Sequence, residues 1–276
     1  MGKNIQPIIF LHIPKTAGLT FHEILTDQYP ERKHKLIYTV AHTKTYTDLP
    51  IDKKNKIGVI KGHLLFGLHE SMPLNPIYLT LLRDPIMRTI SGYEFIKSRT
   101  DHPFHKEMIN KNFTLVDFLN QKHVPNFDNI QVRFLCGDNS MPFGAINETH
   151  LALAKKNLLS ENMLFGMTEF FDESILYFKN ELGWKMPYYS NVNVTKKSTV
   201  NRVAFDEATK NAILNCNQFD LQLYEFAKSI FIEKIKLLGD EFKFEVELFR
   251  KENAKRKNKL ARRNYFRSYI TRFTQG

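Results

Sequence analysis

Residues Ile8 to Phe21 read IIFLHIPKTAGLTF: an apolar run, the turn Pro14-Lys15-Thr16-Ala17-Gly18, then an amphipathic stretch. That order predicts a strand, a tight loop and a helix whose start points at a ligand. A helix start offers unpaired N–H groups and about half a positive charge, which suits an anion. Lys15 adds a mobile point charge, and Thr16 and Thr20 add hydroxyl donors. The segment does not spell the usual nucleoside-triphosphate loop, which needs two glycines followed by Lys and Ser or Thr. Here the lysine precedes the only glycine, Gly18.

A second segment, Ile77 to Tyr93, reads IYLTLLRDPIMRTISGY. Ile77 to Leu82 is an apolar run of strand length, ended by Arg83-Asp84-Pro85. Pro85 suits the first turn of a helix, with Asp84 as its N-cap. Arg83 then sits at a strand end, with Ser91 about two turns into the helix. An arginine so placed, beside a hydroxyl, grips a phosphate in a bidentate way; the competing role is a salt bridge to Asp84.

Together these segments identify a family resemblance. The order PKTAGxT, then Gly-His, then LRDPxxRxxSxY resembles the Golgi-type carbohydrate sulfotransferases, which include heparan sulfate 2-O-sulfotransferases and their bacterial relatives. The resemblance continues through Asn129 to Leu135, Phe165 to Glu169, Phe171 to Ser174 and Leu223-Tyr224, covering roughly residues 6 to 230.

The resemblance implies the donor 3′-phosphoadenylyl sulfate (PAPS) and transfer of its sulfuryl group to a hydroxyl, most naturally of a carbohydrate. It places Lys15, Thr16, Ala17, Gly18, Leu19 and Thr20 on the 5′-phosphosulfate, and Arg83 with Ser91 on the 3′-phosphate. Lys15 takes the leaving-group charge. The family's catalytic histidine falls at His63, in Lys61-Gly62-His63, where an imidazole with a pKa near ~6.5 serves as base. Two departures stand out. Relatives commonly have Ser or Thr where this chain has Leu19. Some heparan enzymes carry a second histidine two residues before the base, and that position is Lys61 here. His12, three residues before Lys15, lines the acceptor cleft or is a satisfied strand histidine. Asn129, Gln131 and Arg133 are further contact candidates, Arg133 alternatively a surface salt bridge; Lys196 and Lys197 are weaker ones.

The expected fold is α/β: a P-loop-like three-layer arrangement with a mostly parallel central sheet flanked by helices, plus a C-terminal basic helix. The expected division is a catalytic domain over 1–240 and a basic helical extension over 241–276. Strands are expected at Ile8 to Ile13, Leu36 to Val40, Ile57 to Lys61, Ile77 to Leu82 and Met163 to Phe165. Thr43 to Asn55 reads as a polar loop. Helices are expected at about Thr20 to Gln28, Pro85 to Lys97, Leu115 to Gln121, Asn129 to Leu135, Glu148 to Leu159 and Glu169 to Leu182. A last helix covers Ile213 to Leu238 and runs on into the tail.

The net charge of +11 is concentrated. Lys243 to Gly276 holds eleven Lys or Arg against three Glu, a balance of +8. Tyr265, Phe266, Tyr269, Ile270 and Phe273 follow at helical spacing. A solvated helix, or a contact with an acidic polymer, a membrane surface or a second subunit, fits that pattern. Nucleic acid ranks last, because no recognised binding fold accompanies the charge.

No apolar run reaches the roughly 20 residues of a membrane span. A chain complete at Met1 is therefore expected to be cytoplasmic and prokaryotic in type, and a trimmed one to belong in the Golgi lumen. Cys136 and Cys216 read as reduced thiols. The sequons at Asn112, Asn147 and Asn193 matter only on a secretory route. His102 and His105 lack further ligands for a metal, and no metal is expected. The competing functions are a non-catalytic nucleotide- or glycan-binding protein, or a P-loop kinase-like phosphotransferase.

Overall fold

The computed structural model describes residues 6–122, 124–190 and 206–273, with side chains to Arg256. Lys196, Lys197 and the Asn193 sequon lie outside the described residues, as do the side chains of the aromatic tail. Five strands, β1 (Ile8–Leu11), β2 (Lys33–Ile37), β3 (Ile57–Gly62), β4 (Ile77–Leu82) and β5 (Met163–Met167), form one sheet in the order β2-β3-β1-β4-β5. All four pairings are parallel, with Leu11 opposite Gly62 on one side and Thr80 on the other. β1 is buried throughout, as an apolar strand covered on both faces must be. β2 lies at an edge, where exposed Lys33 discourages pairing with another chain.

The chain leaves β1 toward β2 and leaves β4 toward β5, in opposite directions from adjacent strands. That reversal opens a crevice beyond the strands' C-terminal ends, where ligands bind in open α/β sheets. The loop after β1, Arg83 after β4 and His63 after β3 all end there.

Helix α1 (Gly18–Gln28) packs on the sheet through Phe21, 4.6 Å from the Phe10 ring. The expected loop at Thr43 to Asn55 is instead largely helical, as α2 (Val40–Thr47) and α3 (Ile51–Lys54). Its polarity misleads because α2 is an exposed helix. Thr39 caps it by accepting from the His42 N–H, and only Tyr46 is buried. For the same reason β2 ends at Ile37 rather than Val40.

Asp84 caps α4 (Pro85–Ser98) by accepting from the Met87 N–H at 2.9 Å, with Pro85 in the first turn. Next come α5 (His105–Asn110), α6 (Leu115–Asn120), α7 (Ile130–Cys136), α8 (Glu148–Leu158) and α9 (Phe171–Leu182). The expected single helix over Ile213 to Leu238 is two, α10 (Glu207–Cys216) and α11 (Gln218–Leu237). They part at buried Asn217, whose amide donates to the Ile213 and Phe127 carbonyls. Side-chain hydrogen bonds of this kind compete with the helix's own.

Ile213 belongs to a second, smaller core with Tyr93, Phe118 and Phe127 behind α4. α12 (Gly239–Phe273) carries the basic tail, and its first turns bury Phe242, Val246 and Phe249 in the main core. Among the described residues no helix is long and apolar enough to cross a membrane.

Candidate active site

The loop after β1 has positive φ at alternate residues, 72° at Lys15 and 63° at Ala17. Such backbone costs about 1–2 kcal/mol per non-glycine residue, but it turns successive N–H groups toward one point. Thr16 steadies the turn: its hydroxyl is fully buried and donates to the Ile13 carbonyl at 2.8 Å. Ala17 is the N-cap of α1 and supplies no side-chain bond, so no side chain caps the first-turn N–H groups through it. Leu19 is 52 % exposed, so the departure from Ser or Thr removes a hydroxyl while keeping the backbone donor.

The Lys15 ammonium lies 4.2 Å from the centre of the Phe95 ring. Burial, then Arg83 and Arg88, lowers its pKa to about 8. A Cβ on Gly92 would stand 4.0 Å from the Lys15 Cγ, so the face of α4 through Gly92 and Phe95 meets the loop. Half-buried Ser91 adjoins that face, and Arg88, 1 % exposed, lies one turn earlier. Burial lowers the Arg88 pKa to about 10, a shift opposed by Asp220, and among the described residues its Nε has no hydrogen-bond partner.

Arg83 donates through Nη1 to the Lys15 carbonyl at 2.9 Å. The expected alternative, a salt bridge to Asp84, gives way to this bond, because Asp84 is occupied as the cap of α4. Gln131 brackets the backbone of Arg83: its Oε1 accepts from the Arg83 N–H and its Nε2 donates to the Arg83 carbonyl, both at 2.9 Å. Glu169 accepts from the next N–H, that of Asp84, at 3.0 Å.

Gln131 and Asn129 are therefore buried scaffolding. Asn129 accepts from the N–H groups of Phe219 and Asp220 at the start of α11. Asp220 in return accepts from those of Gln131 and Val132 at the start of α7. Arg133 is no surface salt bridge. It is fully buried, pairs with Asp128 and donates to the Met141 and Pro142 carbonyls, holding the following loop.

His63 follows Gly62, a position only glycine can fill. Its φ is 146°, and a Cβ there would lie 1.8 Å from the Ile37 carbonyl oxygen. The residue is exposed on one side while its ring packs 4.8 Å from His12 and 5.3 Å from Tyr38. The protein matter around the ring lowers its pKa from the ordinary value, leaving it neutral near pH 7. Lys61, where some relatives have histidine, is buried and donates to the His22 carbonyl at 3.0 Å and the Thr26 hydroxyl at 2.7 Å. It is a structural cation turned into α1.

The structure thus gathers Lys15, Arg83 and Ser91 at one crevice, with His63 beside it. Sequence reasoning passed over His22, Arg88 and Tyr38. His22, half-buried on α1, sits one turn after Gly18, a spacing that puts both on one side of the helix. A separate cleft of about 250 Å³ lies along Glu23 and Asp27 of α1 and Tyr188, Asn253 and Arg256. Its two carboxylates make it a poor place for a polyanionic donor, and none of Lys15, His63 or Arg83 lines it.

Comparison with known proteins shows which family the chain belongs to. The chain is 26% identical over 253 residues to the human protein called heparan sulfate 2-O-sulfotransferase 1, covering 80% of this chain and 69% of that one. A Xenopus laevis protein of the same name is 27% identical over the same length. A Drosophila melanogaster heparin sulfate O-sulfotransferase is 25% identical over 264 residues, 86% of this chain and 75% of the relative. A solved mouse sulfotransferase complexed with PAP superposes with a TM-score of only 0.39 at 15% identity, over 77% of this chain and 64% of that one. The sequence profile described as galactose-3-O-sulfotransferase matches residues 2–264, so the chain belongs to that family of sulfotransferase enzymes.

Proposed function

We propose that this protein moves the sulfuryl group of 3′-phosphoadenylyl sulfate to a hydroxyl of a glycan, with His63 as base. The observation that carries the reading is the convergence at the C-terminal ends of β3, β1 and β4. There a solvent-facing neutral imidazole, an anion-ready loop with Lys15, and Arg83 tied to that loop lie side by side. The donor bears charge at both its 5′-phosphosulfate and its 3′-phosphate, and the crevice offers two cationic positions for them. The loop from Lys15 to Thr20 takes the first, and Arg83 with Ser91 the second.

In the transfer, His63 accepts the proton of the acceptor hydroxyl while that oxygen bonds to sulfur. The bond between sulfur and the bridging oxygen breaks on the opposite side, and 3′,5′-diphosphoadenosine departs. As in phosphoryl transfer, alignment and charge stabilisation carry the rate. Lys15 stabilises the bridging oxygen. Its pKa near 8 leaves it charged at neutral pH, a single mobile cation at the bridging oxygen.

A glycan acceptor is supported by the names of the relatives, and His63 is exposed, as a base serving a polymer must be. Beyond the core-packed start of α12, exposed Lys251 and Lys255 begin the basic stretch, which suits an acidic chain. The test is to incubate the purified protein with sulfur-labelled donor and a panel of de-O-sulfated heparan, galactose-terminated glycans and small phenols. Label should enter a glycan. Label entering only phenols overturns the acceptor class, and label entering nothing overturns the activity.

A further inference from the structure

We propose that His12 is a positioning residue that sets His63 against the donor loop, and that His22 locks His12 in place through a ring nitrogen. The inference rests on the reading of His63 as base. His12 is 6 % exposed, at the point where β1 gives way to the loop. Its ring stacks on Phe10 at 5.4 Å and meets the His63 ring at 4.8 Å. Its backbone N–H donates to the Gly62 carbonyl at 2.9 Å, so main chain as well as ring tie it to the segment bearing the base.

On the other side His12 touches the loop. A Cβ on Gly18 would fall 1.8 Å from the His12 Nε2, so the imidazole occupies the space beside the first residue of α1. One buried ring therefore contacts both the loop after β1 and the His63 ring. Its orientation is set by Nδ1, which lies 3.2 Å from the Nε2 of His22; one of the two carries the shared proton. His22 is held in turn by the Lys61 ammonium on its carbonyl.

The charges facing this cluster are all of one sign. Burial, then His63, His22 and Lys15, keeps His12 well below its ordinary pKa. Burial, then Lys61 and His63, pushes His22 down to about 4. Tyr38, neutral, closes the outer side, edge-on to His63 and 6.2 Å from His22. Among the described residues no carboxylate acts on the three rings. Of the three rings only His63 is exposed, so it is the one that can meet an acceptor's proton, while the His12–His22 bond stays neutral behind it. A salt-bridged histidine would be drawn toward its partner; this one is backed by a neutral wall and left free to face the acceptor.

The test compares His12→Phe, which keeps a ring and loses the nitrogen, with His12→Asn, which keeps a polar group near Nδ1. Turnover is measured with labelled 3′-phosphoadenylyl sulfate and de-O-sulfated heparan, and 3′,5′-diphosphoadenosine binding by calorimetry. His12→Phe should lower kcat by about 10- to 100-fold, the scale of a small misplacement of reacting groups. Donor KM and product Kd should stay within about threefold, and His12→Asn should recover most of kcat. Wild-type kcat in a folded His12→Phe, or kcat and thermal stability falling together while KM rises, overturns the proposal.

A second measurement stands apart from turnover and from any folding failure of the variant. In nitrogen-15 spectra of the wild-type imidazoles, His12 and His22 should stay neutral and hydrogen-bonded at pH 5.5. A His12 that titrates near its ordinary value, without a bond to His22, overturns the lock. A wild type that binds the donor but transfers nothing overturns the proposed function instead, and leaves the spectra to decide on His12.

Discussion

The Arg83 guanidinium and the Lys15 carbonyl are joined by a 2.9 Å hydrogen bond that ties the end of β4 to the loop after β1. The Arg83 side chain is thus anchored on the backbone of the residue that bears the other cation. On the proposed reading, one holds the 3′-phosphate and the other the bridging oxygen of the same donor.

The nucleotide should be read at both ends. 3′,5′-Diphosphoadenosine should bind about ten- to a hundredfold more tightly than adenosine 5′-phosphate, the worth of a charge-assisted contact of roughly 1.5–3 kcal/mol. Arg83→Met should abolish most of the difference. Equal calorimetric affinities in the wild type would remove Arg83 from the 3′-phosphate.

Lys15 should make nucleotide binding sensitive to alkali. Its pKa of about 8 in the free protein means that the ammonium is lost as pH rises through that value. Affinity for 3′,5′-diphosphoadenosine should therefore weaken from pH 7 to 9.5. In Lys15→Arg, whose guanidinium stays charged, the profile should be flat over that range. A wild-type profile as flat as the arginine variant's contradicts the assignment.

The scaffold behind Arg83 should be costly to disturb. Gln131→Leu leaves the half-buried N–H and carbonyl of Arg83 without their 2.9 Å partners, at about 1 kcal/mol for each. The melting temperature should fall, and nucleotide affinity should fall with it because Arg83 loses its register. A variant as stable as the wild type would show that the bracket is dispensable.

Acid should unfold the protein partly through His22. Its folded pKa of about 4 lies below the unfolded value near ~6.5, so the unfolded chain binds more protons between them. Its contribution to stability is full above about pH 6.5 and is lost as pH falls toward 4. Asp220 acts oppositely: burial raises it to about 6, so the folded state holds its proton more tightly between roughly 3.9 and that value. The diagnostic is thus the difference between proteins. His22→Gln should be less acid-sensitive than the wild type over pH 4.5–6.5, and identical slopes in the two would contradict the shift.

Much of this architecture is legible in the sequence because the signals are local. IIFL and IYLTLL are apolar runs cut off by loop residues, and Asp84-Pro85 marks a helix start that the structure reproduces. The crevice follows from topology once β1 and β4 are adjacent. What escapes is what depends on contacts distant in sequence. His12 and His22 are ten residues apart and meet only when α1 folds back on β1. Gln131, offered by the sequence as a contact to a ligand, instead holds Arg83 across 48 residues, a pairing with no local signal. α2 is hidden for another reason: an exposed helix has too few apolar positions to show a period.

The base is the centre of the account, and one comparison tests it most directly: His63→Ala against wild type, with 3′,5′-diphosphoadenosine affinity and labelled sulfuryl transfer to de-O-sulfated heparan measured on the same preparations. Nucleotide affinity should stay within about threefold while turnover falls by about 10²–10⁴-fold, as for loss of a general base. A folded His63→Ala protein that transfers sulfate at the wild-type rate would contradict the account.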